Sequence, residues 1–203
     1  MFQDLDKALE TIITADGMVA SFITPDKAYP PTIAAATVNL FLYEVKENRE
    51  LRLPDPLEER VGNGFVRKPP LLRVDCFYIV TTWSKQPGEL KVAEEHKMLA
   101  QALVSLSRFR TIPTNILPHQ IYPPPTLVAQ MDMNKNSAGE FWSALGIPPR
   151  PAFYLTVTIT MELGVQQTGP LVTTRATSSM LRKSNQSSRA ISNVPGSPTG
   201  IVP

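Results

Sequence analysis

Apolar and polar positions alternate, or recur every three to four residues, along most of the first 175 residues. In residues 2–16, Phe2, Leu5, Leu9 and Ile12 share one helical face with Ala8 and Ile13 beside them. That spacing predicts an amphipathic helix. Asp4 and Asp6 fall in its first turn, where the helix dipole favours negative charge, and Gly17 can close its far end. Pro25–Pro31 reads as an extended loop. In Ala36–Val45, Val38, Leu40 and Leu42 point one way and Asn39, Phe41 and Tyr43 the other, predicting a strand covered on both faces. Residues 46–70 are charged and turn-rich. Asn63-Gly64 tolerates the positive φ of a tight turn, which predicts a small hairpin around 59–68. Leu71–Thr82 alternates through Arg73 and Asp75, then turns apolar on both faces, as a strand would that starts at an edge and runs inward.

The next helix is predicted over Glu94–Phe109, with Met98, Leu99, Ala102, Leu103, Leu106 and Phe109 in one stripe and Pro113 as its stop. Residues 111–135 form a long connection stiffened by Pro123-Pro124-Pro125. Ser137 and Glu140 have the spacing of a capping box, predicting a short helix over 138–145 that Gly146 ends. Phe153–Leu163 sets an apolar row against Tyr154, Thr156, Thr158, Thr160 and Glu162, a strand with a threonine ladder on one face. A last strand is expected at Leu171–Arg175, after the Gly169-Pro170 turn. From Ala176 the chain holds seven serines, three prolines and no acidic residue, too little apolar content to order itself. The fold class is therefore α+β. A mainly antiparallel sheet is packed by two or three helices in one domain over 1–175, and a tail over 176–203 is disordered or ordered by a partner.

Composition removes several functions. Twenty basic against eighteen acidic side chains leave +2, too little for a protein whose work is neutralising phosphates, so no nucleic acid is expected. Twenty prolines exclude a helical bundle. One cysteine excludes a disulfide framework or thiolate cage, and two histidines argue against a histidine metal centre. No cofactor, metal or small-molecule substrate is expected. There is no phosphate-binding glycine loop and no nucleophile elbow. His96 reads as a solvated helix position and His119 as a loop residue, and Cys76 reads as a small core residue with nothing nearby in sequence to lower its pKa. The adjacent carboxylates Glu58-Glu59 and Glu94-Glu95 point in different directions and make poor acid/base pairs. An enzyme is disfavoured. With neither a signal peptide nor an apolar run long enough to span a membrane, a cytoplasmic protein is expected. The threonine face is either the solvent side of a sheet or a surface held against another subunit. The prolyl connections and the tail suit arms that order on meeting a neighbour.

The runs VNLFLYEVKENRELR (Val38–Arg52) and ERVGNGFVRKPPLLRVDCFYIVTTWS (Glu59–Ser84) resemble the Pvc16 N-terminal domain family. The likeness continues through EEHKMLAQAL (Glu94–Leu103), FWSALGIPPRPAFYLTVTITME (Phe141–Glu162) and GPLVTTR (Gly169–Arg175), in the same order. The resemblance implies a tail terminator, or cap, of a phage-tail-like contractile injection system. It implies a homohexameric ring on the distal end of the inner tube and sheath that ends their polymerisation, working within an assembled particle and without catalytic residues. Self, the sheath protein and the tube protein are then the expected partners, with membrane attachment at most indirect. Three contact regions follow as expectations: the loop Lys46–Lys68 with Arg49, Arg52, Asn63 and Arg67; the corner Trp142–Pro151 with Trp142 and Arg150; and Leu171–Arg175 with Thr173, Arg175 and the tail. Trp142 reads equally as plain core. Rival readings are a baseplate or sheath-adaptor component of the same machine, a small hydrolase built on Cys76 and a histidine, and a nucleic-acid-binding protein.

Overall fold

The computed structural model describes residues 1–52, 55–62, 64–117, 124–130, 138–164 and 167–170. The expected strand at Leu171–Arg175 and the tail lie outside the described residues. Helix α1 (Phe2–Ala15) leads into the short strand β1 (Val19–Ser21), and a single 3-10 turn at Pro30–Thr32 interrupts the loop that follows. Strands β2 (Thr37–Glu47), β3 (Leu57–Val61), β4 (Gly64–Lys68) and β5 (Leu72–Trp83) precede helix α2 (Gly88–Ser107). Strand β6 (Thr126–Gln130), helix α3 (Ala138–Leu145), β7 (Ala152–Met161) and β8 (Gln167–Pro170) complete the described chain.

Two sheets result. The larger runs β1-β2-β5-β7-β6 and the smaller β3-β4-β8. All the ladders are antiparallel except β1 on β2, which is parallel and makes the larger sheet mixed. The α+β class with a mainly antiparallel sheet is as the sequence implies, and the three helices divide between its faces.

Helices α1 and α2 cover one face. Leu5, Leu9, Ile12 and Ile13 of α1 and Ala102 and Leu106 of α2 pack on Val38, Leu40, Cys76, Tyr78, Val80, Leu155, Val157 and Ile159. Each of these sheet residues lies on one side of the pleat, so the period-two pattern of three strands and the 3.6-residue pattern of two helices close a single core. The far face is covered at one end by α3, where Phe141, Trp142 and Leu145 meet Phe41, Tyr43, Ile79 and Tyr154. Alternation along β2 puts Tyr43 on this far face with Phe41, where its ring makes edge contacts with Phe141 and Tyr154, and a β-bulge between Leu42 and Glu44 shifts the register of the residues that follow.

Five details differ from the sequence reading. β5 is a central strand, between β2 and β7, with both neighbours paired from Val74 to Thr81, and its polar start consists of far-face residues whose partners lie on adjacent chain segments. Arg73 donates to Thr160 Oγ1 at 2.6 Å, while Asp75 accepts from Thr158 Oγ1 at 2.6 Å and from Asn48 Nδ2 at 2.9 Å. Helix α2 starts six residues before the expected Glu94, because its first turns carry outward apolar side chains that do not continue the core stripe. β1 is an addition, and β6 lies inside the stretch expected to be a plain connection. The positive φ of the hairpin falls on Gly62 (59°) and not on Gly64, which already pairs with Val61 and Pro170; Asn63 lies outside the described residues. The Ser137 side of the expected capping box falls outside the described residues; the helix it would start is present.

Candidate assembly surfaces

Both strands of the β3–β4 hairpin and β8 leave the same end of the larger sheet. β2 ends there at Glu47, β5 begins there at Leu72 and β7 ends there at Met161. The three short strands form an arm whose described side chains join none of the buried clusters. Its cohesion is main-chain pairing and close packing. A Cβ on Gly64 would sit 2.9 Å from the Gly169 carbonyl oxygen, and one on Gly169 would meet the Phe65 ring at 2.9 Å. Cross-strand ion pairs, Arg67 to Glu58 at 3.6 Å and Lys68 to Glu59 at 3.9 Å, are exposed and contribute well under about 1 kcal/mol each. A cleft of about 420 Å³ elsewhere, at the ends of α1 and α2, is lined by Asp16, Gln101, Val104, Ser105 and Arg108. The Ser105 hydroxyl and the Arg108 guanidinium hold the Asp16 carboxyl below its usual range.

The turn after β2 is held by Asn48, which the sequence reading passed over. Its main-chain N–H donates to the Arg73 carbonyl at 2.9 Å and its side-chain oxygen accepts from Leu51 N–H at 3.0 Å. Its amide nitrogen meanwhile reaches Asp75. Asparagine favours such local bonding, and its place directly after a long strand is the signal that was available. Arg49 and Arg52 stand exposed on this turn, with Arg52 3.4 Å from Glu47. Arg67 is exposed on β4. Arg49, Arg52 and Arg67 thus share the arm end of the sheet. Asn63, Thr173 and Arg175 lie outside the described residues.

The second expected contact region is built differently from its sequence reading. Trp142 is 2% exposed and packs with Ile79 and Tyr154, because α3 turns it onto the sheet's far face; its ring belongs to the core, not to a surface. Arg150 is drawn inward as well. Its guanidinium lies 3.9 Å from the centroid of the Trp83 ring, bonds Glu95 at 2.7 Å and donates to the Thr82 carbonyl at 3.1 Å. Stacking on an aromatic face and forking to a carboxylate are both properties of arginine that lysine lacks. What the corner presents to solvent is Pro148, Pro149 and Pro151.

The threonine face divides in two. Tyr154 sits under α3, whereas Thr126, Thr158, Asp75 and Lys46 form one row across β6, β7, β5 and β2. The charges of that region are taken up locally, Asp75 by Thr158 and Asn48, and Lys46 by Glu44 at 2.7 Å.

No described group is placed for nucleophilic chemistry on Cys76. The thiol is fully buried, and burial first, then the negative charges of Asp75 and Asp6, push its pKa up to about 12. A thiol so protonated and enclosed is no nucleophile. His96 is exposed on α2, and His119 lies outside the described residues. Asp6, half-buried on α1, accepts a 2.8 Å hydrogen bond from the Tyr78 hydroxyl; burial raises its pKa and that bond works the other way.

A family profile, the Pvc16 N-terminal domain, matches residues 4–174. No curated protein matches the chain. Among solved structures, the fold is similar to that of the PVC sheath/tube terminator of an extracellular contractile injection system in its extended state, with TM-score 0.65 and 22% identity. That match covers 93% of this chain and 65% of the terminator. It is also similar to the tube-terminating cap of the anti-feeding prophage, with TM-score 0.61 and 22% identity over 87% of this chain and 60% of the cap. Both likenesses establish the fold, and the chain spans less than two thirds of either protein's length, 65% of the terminator and 60% of the cap.

Proposed function

This chain belongs to the Pvc16 N-terminal domain family, and from that premise we propose that it is a tail terminator of a contractile injection system. Copies of it form a six-membered ring on the distal end of the inner tube and sheath and stop both from growing. The observation that carries this reading is the shared fold with two terminating caps over most of the chain. Structure alone supplies what such a role needs. A ring that ends a helical stack must meet its own neighbours and the last discs beneath it, and those contacts need edges, arms and apolar patches in place of reactive groups. The arm of β3, β4 and β8 is of that kind.

The mechanism is competitive capping. The ring occupies the surface on which the next tube or sheath disc would add and offers no equivalent surface above. Baseplate or adaptor placement would put the same fold at the proximal end. The enclosed, protonated Cys76 weighs against a cysteine hydrolase. Among the described residues no helix is long and apolar enough to cross a membrane. The direct test is polymerisation of purified sheath and tube subunits with and without this protein. Capping predicts shorter assemblies with label at one end only. Unchanged lengths, or label along the shaft, would contradict it.

A further inference from the structure

The arm is joined to the larger sheet by three stretches of chain, 48–56, 69–71 and 162–166. Its strands pair only with one another. Among the described residues no ion pair or side-chain hydrogen bond crosses from an arm strand to the sheet or its helices, whereas Glu58 and Glu59 pair with Arg67 and Lys68 inside the arm. The connections interrupt the sheet. Proline has no N–H, so Pro69 and Pro70 cannot carry the ladder of β4 on into β5, although only three residues separate these strands. Gly164, on the return from β7, has φ 70° and open space where a Cβ would stand. A cleft of about 340 Å³ lies at the joint, lined by Pro56, Pro69 and Pro70 of the connections and by Arg67 and Gln167 of the arm.

We infer that the arm is hinged: β3, β4 and β8 re-aim together relative to the larger sheet, about Pro69-Pro70 and Gly164. Such a motion needs a stiff moving part and a joint that loses little when its angle changes. Stiffness comes from two ladders and from the close approach of Gly64 to the Gly169 carbonyl. At the joint no buried apolar cluster has to open, and the cleft leaves room for the arm to swing. A proline fixes φ and leaves ψ free, while glycine leaves both free, so few dihedrals carry the motion and the arm is aimed instead of loose. What the hinge does rests on the capping reading. In a contractile particle the sheath shortens and the tube does not, so a cap that touches both must release one or bend between them. The joint lets this chain bend.

Spin labels read the hinge directly, because Cys76 is buried and takes no label. The full chain is labelled in two arm pairs, Arg60→Cys with Lys97→Cys and Thr168→Cys with Lys97→Cys, and in one reference pair within the body, Glu10→Cys with Lys97→Cys; all four positions are exposed. Distances are measured by pulsed electron resonance on the free protein, diluted with unlabelled chain, and on particles before and after contraction. In the free protein the two arm pairs are expected to give broad distributions and the reference pair a narrow one. A single narrow distance for every pair would overturn the hinge. Broadening of only one arm pair would show a fraying strand in place of a moving arm, which overturns it as well. In particles both arm pairs are expected to narrow, and to shift together on contraction while the reference stays fixed. Arm distances that stay broad, or that are the same before and after contraction, would contradict the use assigned to the hinge. A labelled chain that never enters particles refutes the capping reading instead, and the free-protein distributions still decide the hinge.

Discussion

Arg150 and Glu95 form an ion pair of 2.7 Å across the protomer, with side chains only 16% and 12% exposed. The pair ties the segment between α3 and β7 to α2, and the Trp83 ring and the Thr82 carbonyl of β5 complete its setting. One arginine thus links the helix on one face of the sheet to the strand connection on the other. The corner on which exposed prolines stand is fixed by this pair.

Truncating one member leaves the other charge enclosed. Arg150→Met is expected to cost about 3 kcal/mol, as broken buried pairs do, whereas Arg150→Met with Glu95→Gln costs clearly less. Urea unfolding of the three proteins measures this. Equal losses in the single and double variants would mean that the stacking on Trp83, and not the pair, holds the corner.

Asp6 carries a pH dependence of determined sign. Its carboxyl is raised above 3.8 in the folded protein, with burial the main cause, so the folded state binds its proton more tightly than the unfolded chain does. The group therefore costs stability as pH rises from 3.8 through the raised value, and the cost is complete above it. Asp6→Asn removes this dependence while keeping an acceptor for the Tyr78 hydroxyl. Stability against pH, from 3.8 up through the raised value, is expected to be flatter for the variant.

Removing that donor has the opposite consequence. Tyr78→Phe withdraws the hydrogen bond that favours the charged Asp6 and is expected to cost about 1–2 kcal/mol at neutral pH, less in acid. Denaturant midpoints at two pH values separate this from a plain packing loss, which would be the same at both.

Gly64→Ala tests the arm. The added methyl meets main chain, the Gly169 carbonyl, which has no side-chain freedom to yield. Faster amide hydrogen exchange across 57–68 and 167–169 is expected, with α1, α2, β5 and β7 unchanged. Uniformly faster exchange would show that the arm is part of the main cooperative unit.

Much of this architecture was legible in the chain. Val38, Leu40 and Leu42, then Val74, Cys76, Tyr78 and Val80, then Leu155, Val157 and Ile159 state the three central strands by alternation alone. Leu5, Leu9 and Ile12 state α1 by spacing. β1 could not be read this way, since three residues carry no period and its parallel partner starts sixteen residues further on. β6 was masked by the prolines before it, although Leu127 pairs with Val157 in the core row. The clamp at Arg150 joins residues far apart in sequence, and nothing local to either one announces the other. The outward Leu90 and Val92 were invisible for a related reason. They break the helix's amphipathic pattern, and a search for the core stripe discards such residues.

The central claim is that this chain ends the growth of tube and sheath. Electron microscopy of injection particles from cells with and without its gene measures that most directly. Capping predicts particles of uncontrolled length, lacking the density at the distal end, when the gene is absent, and restoration of both when it is returned. Particles of unchanged length with both ends intact would contradict the account.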